Sequence, residues 1–376
     1  MKRTVSILLS LIMIAALLAG CTSEPTDSNA SSGDLIDNNT TDIPQDDPVE
    51  DQPTDEPTDE STNIPVEDEP VNDEPTEEPV TIRLGGLKGP TTIGMLKLIS
   101  DAEAGTTENT YTYTLAGAAD ELSPKLLKGE LDIIAAPVNL ASILYNNSNG
   151  AVQFAAVNTL GVVYIVEKGG ETVNSVADLA GKTIYATGKG QVPEYALRYL
   201  LSANGLDPEN DVTIEWKSEP TEVVALMNQS DNALAMLPQP FVTVAQSQVE
   251  GLRIAVNLVE AWESLDNGSL FITAGLIVRR EFIEQYPQQF AKFLEEYAAS
   301  TEYANTNVEE TAALCEAYDI VKAPVAAKAI PYCNITFLDG EEMSTAVAAY
   351  LQILFDLNPQ AVGGALPGDD FYYVAE

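Results

Sequence analysis

Two short segments rich in glycine and lysine carry residue types that bind an anionic or strongly polar group. In the first, Lys88 is followed by Thr91 and Thr92, and Pro90 predicts the start of a helix. Glycine lets backbone N–H groups converge at such a turn, and a helix start adds partial positive charge. The second segment consists of Gly188, Lys189, Gly190 and Gln191. The alternative for each is a glycine that only permits a tight turn, with its lysine in solvent.

Neither segment is a nucleotide-binding loop. Pro193 stands where the dinucleotide pattern requires glycine, and no Gly-Lys-Ser/Thr occurs at the spacing of a phosphate-binding loop. The chain also contains no histidine, which removes Ser-His-Asp triads, Cys-His pairs and histidine-ligated metal sites. Catalysis by carboxylates or lysine stays possible, but we expect no catalytic residue, no metal and no cofactor.

Two polar and two aromatic residues extend the candidate binding set. Asn139 follows a buried strand at the start of a helix, and Gln239 is its counterpart in the second half. Each could instead be an ordinary helix cap. Trp262 and Tyr164 could stack on a planar ligand, and the alternative for both is a place in the core.

These residues lie at the turns of an alternating strand and helix pattern, which predicts sheets covered by helices on both faces. The predicted strands of the first half are residues 80–84, 111–116, 131–136, 152–157 and 161–166, and its helices are residues 90–104, 121–128 and 139–145. The predicted strands of the second half are residues 182–186, 212–217, 233–237 and 252–256, and its helices are residues 193–203, 222–228 and 242–248.

The two halves match at an offset of 101 residues. Lys88 aligns with Lys189, and Pro137 aligns with Pro238. The match predicts two similar α/β units, although any two such units share some features by chance. Because ligands bind beyond the carboxyl ends of strands in open α/β sheets, we expect the two lysine turns to border one cleft.

The carboxyl third has one strand core at residues 272–278, followed by helices at residues 287–303, 308–317 and 341–355. We expect it to pack on the first lobe. The predicted domains are therefore lobe 1 at residues 80–167 and 270–376 and lobe 2 at residues 168–269. The chain would cross between them near Glu167 and Leu270, and these crossings would form the hinge.

The amino terminus has the order of a secretory signal, with Lys2 and Arg3 before an apolar run. The run ends in Leu-Ala-Gly and Cys21, which resembles the lipobox of bacterial lipoproteins and implies a signal peptide at residues 1–20 and lipid attachment at Cys21. The alternative is an ordinary signal peptide with a chance cysteine. Residues 22–80 contain twenty acidic residues, nine prolines and no Lys or Arg. This composition predicts a disordered acidic tether over residues 21–79.

Beyond the tether the chain has 38 acidic and 16 basic residues, a balance of −22. Nucleic acid is thus disfavoured as a partner, and we expect none, because phosphate binding needs a basic surface. Cys315 and Cys333 form an even pair in a chain that the leader directs to an oxidising compartment, and we predict a disulfide between them. The alternative is two buried free thiols.

Three segments resemble the type II solute-binding proteins of ABC importers, in the branch that contains the nitrate, taurine, aliphatic-sulfonate and thiamine-pyrimidine binding proteins. They are residues 88–94, residues 188–190 before a helix, and residues 237–241. The resemblance covers residues 81–357 and implies a two-lobed periplasmic-binding-protein-like fold with two mixed sheets flanked by helices. Many relatives carry an acidic residue where this chain has Gln239.

The resemblance also implies a function. We expect a lipid-anchored, monomeric, extracytoplasmic protein that closes on a small-molecule ligand and delivers it to an ABC permease and its ATPase subunits. The lysines favour a sulfonate, nitrate or carboxylate, and the aromatics favour a pyrimidine. Two alternatives remain: an enzyme on the same fold, such as a dehydratase or synthase of menaquinone precursors, and a surface sensor without a transporter.

Overall fold

The computed structural model describes residues 80–375. The predicted signal peptide, Cys21 and the whole predicted tether lie outside the described residues. Among the helices of residues 80–375, none combines the length and the apolar character needed to span a bilayer.

Two mixed sheets form the framework of the described part. The strand order is β11-β4-β10-β3-β1-β2 in the first sheet and β7-β6-β8-β5-β9 in the second. The strands are β1 Thr81–Leu87, β2 Thr110–Ala116, β3 Ile133–Pro137, β4 Val152–Leu160, β5 Val163–Lys168, β6 Thr183–Ala186, β7 Thr213–Trp216, β8 Ala233–Pro238, β9 Leu252–Asn257, β10 Ile272–Arg279 and β11 Ile335–Asp339.

Helices flank both sheets. They are α1 Pro90–Ile93, α2 Leu96–Glu103, α3 Ala119–Leu127, α4 Val138–Asn147, α5 Val192–Ala203, α6 Pro220–Gln229, α7 Phe241–Gln248, α8 Leu258–Glu263, α9 Arg280–Gln285, α10 Pro287–Thr306, α11 Val308–Ala317, α12 Ala323–Ala329 and α13 Gly340–Leu357. The single helix predicted at residues 90–104 is two helices, α1 and α2, with Gly94 and Met95 between them.

The central strands show why the first sheet is buried on both faces. In β3 the four consecutive residues Ile133, Ile134, Ala135 and Ala136 are fully buried, as expected for a strand covered on both sides. This strand pairs in parallel with β1 and antiparallel with β10. The sheet is therefore mixed, as predicted.

The first connection between the sheets comes earlier than we predicted. We assigned residues 161–166 to the first half, but β5 pairs with β8 and β9 in the second sheet. Only Gly161 and Val162 separate β4 from β5, so the chain changes sheet there and not near Glu167. The sequence does not reveal where the chain changes sheet, because both strands are apolar and almost continuous. The second connection runs from β9 through α8 to β10, as expected near Leu270. The lobe boundaries themselves stay a prediction.

Gly161 is required by close packing at this first connection. A Cβ atom there would lie 2.5 Å from Phe271 Cδ1 and 2.6 Å from Val259 Cγ2. Phe271 belongs to the second connection and Val259 to α8. The two connections are thus in van der Waals contact with each other.

An aromatic cluster fills the space around the second connection. The Trp262 ring is fully buried, with its centroid 5.3 Å from that of Phe271 and 5.4 Å from that of Tyr350. The ring centroid of Tyr199, in α5, lies 4.7 Å from that of Trp262. The cluster therefore links α5, α8 and α13 across the join between the sheets.

The carboxyl third packs mainly on the first sheet, as predicted, but contains one strand that the sequence did not reveal. This strand, β11, pairs antiparallel with β4 at the sheet edge. After α13 the chain returns to the same sheet, where Phe371 is fully buried and the Tyr373 N–H donates to the Phe154 oxygen at 2.9 Å.

Cys315 and Cys333 are free, fully buried thiols, so the predicted disulfide is not formed in this structure. Both lie in the apolar core formed by α10, α11 and α12. Burial raises the pKa of the Cys315 thiol to about 12, and the Cys333 thiol contacts the Ala329 carbonyl oxygen at 3.3 Å. The alternative of two buried thiols is the one that the structure shows.

Candidate functional site

One edge of the first sheet gathers the carboxyl ends of β1, β3 and β4. The antiparallel register brings the amino ends of β10 and β11 to the same edge, because Ile272 pairs with Leu160 and Ile335 pairs with Thr159. In the second sheet, the carboxyl ends of β6, β8 and β9 share an edge with the amino end of β5. The turns that follow these strands are the candidate site.

Both connections between the sheets leave from these edges. The first joins the carboxyl end of β4 to the amino end of β5, and the second joins the carboxyl end of β9 to the amino end of β10. Because both connections join the same two edges, the topology favours an arrangement in which these edges face each other. We call them the cleft edges. Ligands bind at this place in open α/β sheets.

Two hydrogen bonds cross between the cleft edges. Tyr164 Oη, at the start of β5, donates to the main-chain oxygen of Tyr332 at 3.1 Å. Asn334 Nδ2 donates to the carbonyl oxygen of Gly161 at 2.5 Å. Burial raises the pKa of Tyr164 to about 12, so the phenol stays protonated and remains a donor. Tyr332 itself is 52% exposed, and it is an aromatic of the cleft edge that the sequence did not single out.

The first lysine turn is only partly available to a ligand. Lys88 Nζ forms an ion pair with Asp319 Oδ2 at 2.8 Å. Thr92 is fully buried, and its hydroxyl donates to the Leu87 carbonyl oxygen at 2.6 Å, so its role is structural. Thr91 is 8% exposed, and its hydroxyl has no hydrogen-bond partner within residues 80–375. Of the three, Thr91 has the free polar atom.

The second turn follows β6 and has the predicted tight backbone. Gly188 has φ of +84° and Gly190 has φ of +75°, a left-handed conformation that favours glycine. Lys189, Gly190 and Gln191 are exposed. The Gly190 N–H, however, donates to Glu194 Oε2 at 2.6 Å. Glu194 was missed by the sequence reading, although an acidic residue three positions after a helix cap is a known start signal.

Asn139 and Gln239 occupy matching places on the two cleft edges. Asn139 is 4% exposed; its Nδ2 donates to the Ala361 oxygen at 3.3 Å, and its Oδ1 has no partner within the described part of the chain. Gln239 is 1% exposed, and its Oε1 accepts from the Thr243 hydroxyl at 2.9 Å. Its backbone N–H donates to the Val162 oxygen at 2.9 Å, which holds this turn against the first connection.

Trp262 does not belong to the candidate site. It was proposed as a stacking residue, but its ring is enclosed by the aromatic cluster and its Nε1 donates to Ser269 Oγ at 3.1 Å. A fully buried ring cannot stack on a solute in this arrangement. A second residue that the sequence reading missed is Asn158 of β4, whose Nδ2 donates to the Thr91 oxygen at 2.8 Å and to Tyr297 Oη at 2.9 Å. Its signal was an amide side chain beside Thr159 at the carboxyl end of the mostly apolar strand β4.

The structure thus places Lys88, Thr91 and Asn139 on the first cleft edge, and the Gly188–Gln191 turn with Gln239 on the second. Thr92 and Trp262 are structural. The two cleft edges thus carry hydroxyl, amide and lysine side chains.

Comparison with known proteins agrees with this architecture. The profile of the NMT1-like family matches residues 101–318, more than half of the chain. The chain belongs to the NMT1-like family. No curated protein sequence matches it.

Solved structures resemble this NMT1-like protein in fold. An ABC transporter protein from Parabacteroides distasonis is 24% identical, with a TM-score of 0.65 over 79% of this chain and 99% of that chain. The periplasmic aliphatic sulphonate binding protein SsuA from Escherichia coli is 18% identical, with a TM-score of 0.63 over 80% and 94%. The periplasmic nitrate-binding protein NrtA from Synechocystis PCC 6803 is 13% identical, with a TM-score of 0.52 over 71% and 75%. The predicted type II periplasmic-binding-protein fold is confirmed.

Proposed function

We propose that this protein is the extracytoplasmic solute-binding subunit of an ABC importer and that it captures a small polar solute by closure of its two lobes. The observation that carries the proposal is the arrangement of the cleft edges. The strands of two sheets end at these edges, and within residues 80–375 two connections join the sheets.

The polar groups at the cleft edges support the binding role. Thr91 Oγ1 and Asn139 Oδ1 are buried and have no partner within residues 80–375. A buried polar atom without a hydrogen bond raises the free energy of the folded state by about 1–3 kcal/mol. A solute that reached these atoms as the edges moved, and supplied the missing partners, would remove this penalty. Gln191 and Lys189 would contact the same solute from the second sheet.

Closure follows from contacts to both lobes. A solute that touches both cleft edges stabilises the closed form relative to the open one, and rotation at the two connections would bring the edges together. The permease and ATPase subunits would then act on the closed form. The neighbours named for sulphonate and nitrate make those anions, taurine-like solutes and thiamine-pyrimidine-like solutes the first compounds to test. Lipid attachment at Cys21 and a monomeric state belong to the same proposal.

The test is thermal unfolding of the full chain with a panel of nitrate, ethanesulfonate, taurine, amino acids and hydroxymethylpyrimidine. A solute present at 100 times its Kd stabilises the folded state by about 2.7 kcal/mol and raises the midpoint accordingly. X-ray scattering should then show a smaller radius of gyration with the same compound. The proposal is wrong if no solute binds, or if a compound is turned over, which would favour an enzyme on this fold.

A matched pair of variants locates the site. Gln191→Ala removes an exposed amide at the start of α5, on the second cleft edge. Gln248→Ala removes an exposed amide at the end of α7, at the opposite end of that lobe. We expect the first to weaken solute binding and the second to leave it unchanged.

A further inference from the structure

We propose that Glu194 fills the anion position of the second turn and thereby makes the cleft selective for uncharged solutes over anions. The inference rests on the proposed binding function and specifies the chemical class of the solute. It differs from the prediction drawn from the sequence, in which Lys88 and Lys189 favoured a sulfonate or nitrate.

The carboxylate of Glu194 is held firmly at the turn. Its Oε2 accepts the Gly190 N–H at 2.6 Å, while its Oε1 accepts from Arg198 Nε at 2.8 Å. Glu194 is 7% exposed, and Arg198 lies one helical turn further along α5. The Arg198 ion pair orients the carboxylate, and the Gly190 N–H donates to an acceptor that belongs to the protein itself.

Two further N–H groups around this turn also have acceptors within the chain. The Gln191 N–H donates to the Gly188 oxygen at 3.1 Å, and the Glu194 N–H donates to the Gln191 oxygen at 3.1 Å. Pro193 has no N–H. An external anion would therefore meet a turn in which the Gly190 and Gln191 N–H groups already have acceptors, beside a carboxylate that repels it.

At two places on the first cleft edge, a carboxylate of the protein likewise pairs with the available donor or charge. The turn after β2 presents the N–H groups of Gly117 and Ala118, and both donate to Glu121 Oε1, at 3.1 and 3.0 Å. Lys88 pairs with Asp319. At three separate places the protein's own carboxylate takes the donor or the charge that an anionic solute would need.

The groups that remain free favour an uncharged solute. Asn139 Oδ1 only accepts, so a solute can partner it only with an N–H or O–H, which nitrate and sulfonate lack, whereas the Thr91 hydroxyl can donate or accept. Gln239 adds no charge. Lys189 is exposed, and an exposed ion pair contributes only about 0–1 kcal/mol. The excess of 38 acidic over 16 basic residues adds a general repulsion of anions.

The experiment measures anion binding by the full chain with trifluoromethanesulfonate as a ¹⁹F probe and nitrate as its competitor. We expect no saturable binding by the wild type up to about 100 mM, and at least tenfold tighter binding by Glu194→Ala, which corresponds to about 1.4 kcal/mol. The alanine variant frees the Gly190 N–H and removes the repelling charge. Glu194→Gln removes only the charge, so its gain in anion affinity should be smaller. It is the variant to measure if the alanine variant does not fold.

Asp178→Ala is the matched control. Asp178 caps the 3₁₀ turn Val176–Leu179, where it accepts the N–H groups of Asn174 and Ser175, and this turn precedes β6 at the edge opposite the cleft. The control changes the net charge equally and should not gain anion binding. The inference is overturned if the wild type binds either anion saturably, if neither Glu194 variant binds more tightly, or if the control gains as much. Because a gain in these variants needs no natural solute, it can succeed or fail separately from the binding function.

Discussion

Tyr164 Oη and the main-chain oxygen of Tyr332 lie 3.1 Å apart and form a hydrogen bond between the two sheets. Tyr164 belongs to β5 of the second sheet, and Tyr332 ends the 3₁₀ turn Ile330–Tyr332, which leads into β11 of the first. Any movement that separates the cleft edges must break this bond. It therefore links the structure of the site to the proposed closure.

Tyr164→Phe should shift the equilibrium toward the open form. A hydrogen bond of this kind contributes about 0.5–1.5 kcal/mol, so the open population should increase about 2- to 12-fold relative to the closed one. X-ray scattering should record a larger mean radius of gyration. Tyr372→Phe removes a partly buried hydroxyl within the first lobe and is the control. Equal radii for all three proteins would contradict a role in closure.

Gly161→Ala should destabilise the join between the sheets by about 1–3 kcal/mol, because the new methyl group overlaps Phe271 and Val259. Urea denaturation gives the free energy of unfolding. Gly89→Ala is the control, since a Cβ atom there meets nothing within 4 Å. Adding Val259→Ala should recover part of the loss at Gly161. Equal losses at Gly161 and Gly89 would show that the predicted overlap is relieved.

Tyr350→Phe and Tyr297→Phe should change stability in opposite directions. Both rings are fully buried, but the Tyr350 hydroxyl has no partner within residues 80–375, whereas Tyr297 Oη accepts from Asn158 Nδ2. Removing the unpartnered hydroxyl should stabilise the protein by about 1 kcal/mol, and removing the bonded one should destabilise it by about the same amount. Thermal unfolding shows whether each variant is more or less stable than the wild type. A loss of stability in Tyr350→Phe would contradict the prediction that its hydroxyl is unpartnered.

The fold was largely predictable from the sequence because strand and helix periodicity are local properties. The predicted helix at residues 308–317 matches α11 residue for residue, and the predicted strand at residues 111–116 differs from β2 by one residue. The sequence did not predict β11, because its partner strand β4 lies far away in the chain. The sheet to which β5 belongs was missed for the same reason.

The site was only partly predictable, because the partners of its polar groups are set by tertiary structure. The glycine turn at residues 188–191 was found from its composition, and its backbone has the expected left-handed residues. That Glu194 would take the Gly190 N–H, and that Asp319 would pair with Lys88 across 231 residues, cannot be seen in local patterns. Trp262 shows the converse, since an aromatic residue near a turn can equally fill the core.

Acid should weaken the fold partly through Glu167. Burial would raise the pKa of this carboxyl group, but hydrogen bonds from Thr172 and Arg253 outweigh the effect and hold the pKa below its usual range. A group whose pKa is lower in the folded state contributes stability above its unfolded pKa of about 4.3, and this contribution is lost as the pH falls through the folded value. Wild type should exceed Glu167→Gln in stability by about 1–3 kcal/mol at pH 7.

The measurement for Glu167 is urea denaturation between pH 7 and pH 3. The difference between wild type and Glu167→Gln should be constant from pH 7 to about pH 5 and should shrink below about pH 4. Glu171→Gln, at an exposed neighbour, should show no such difference. A difference that grew as the pH fell would reverse the sign of the proposed shift.

The thiols of Cys315 and Cys333 should be unreactive in the folded protein and reactive after unfolding. The thiolate is the reacting form, and with a pKa of about 12 for Cys315 only about one thiol in ten thousand is ionised at pH 8. Burial also excludes the reagent. In a Cys21→Ala background, dithiobisnitrobenzoate should therefore titrate no thiol in the native state and two in guanidinium chloride without reductant. A disulfide cannot be titrated until a reductant opens it. If the two thiols of the unfolded protein appear only after reduction, a disulfide forms. If two thiols are counted both with and without prior reduction, the two cysteines are free.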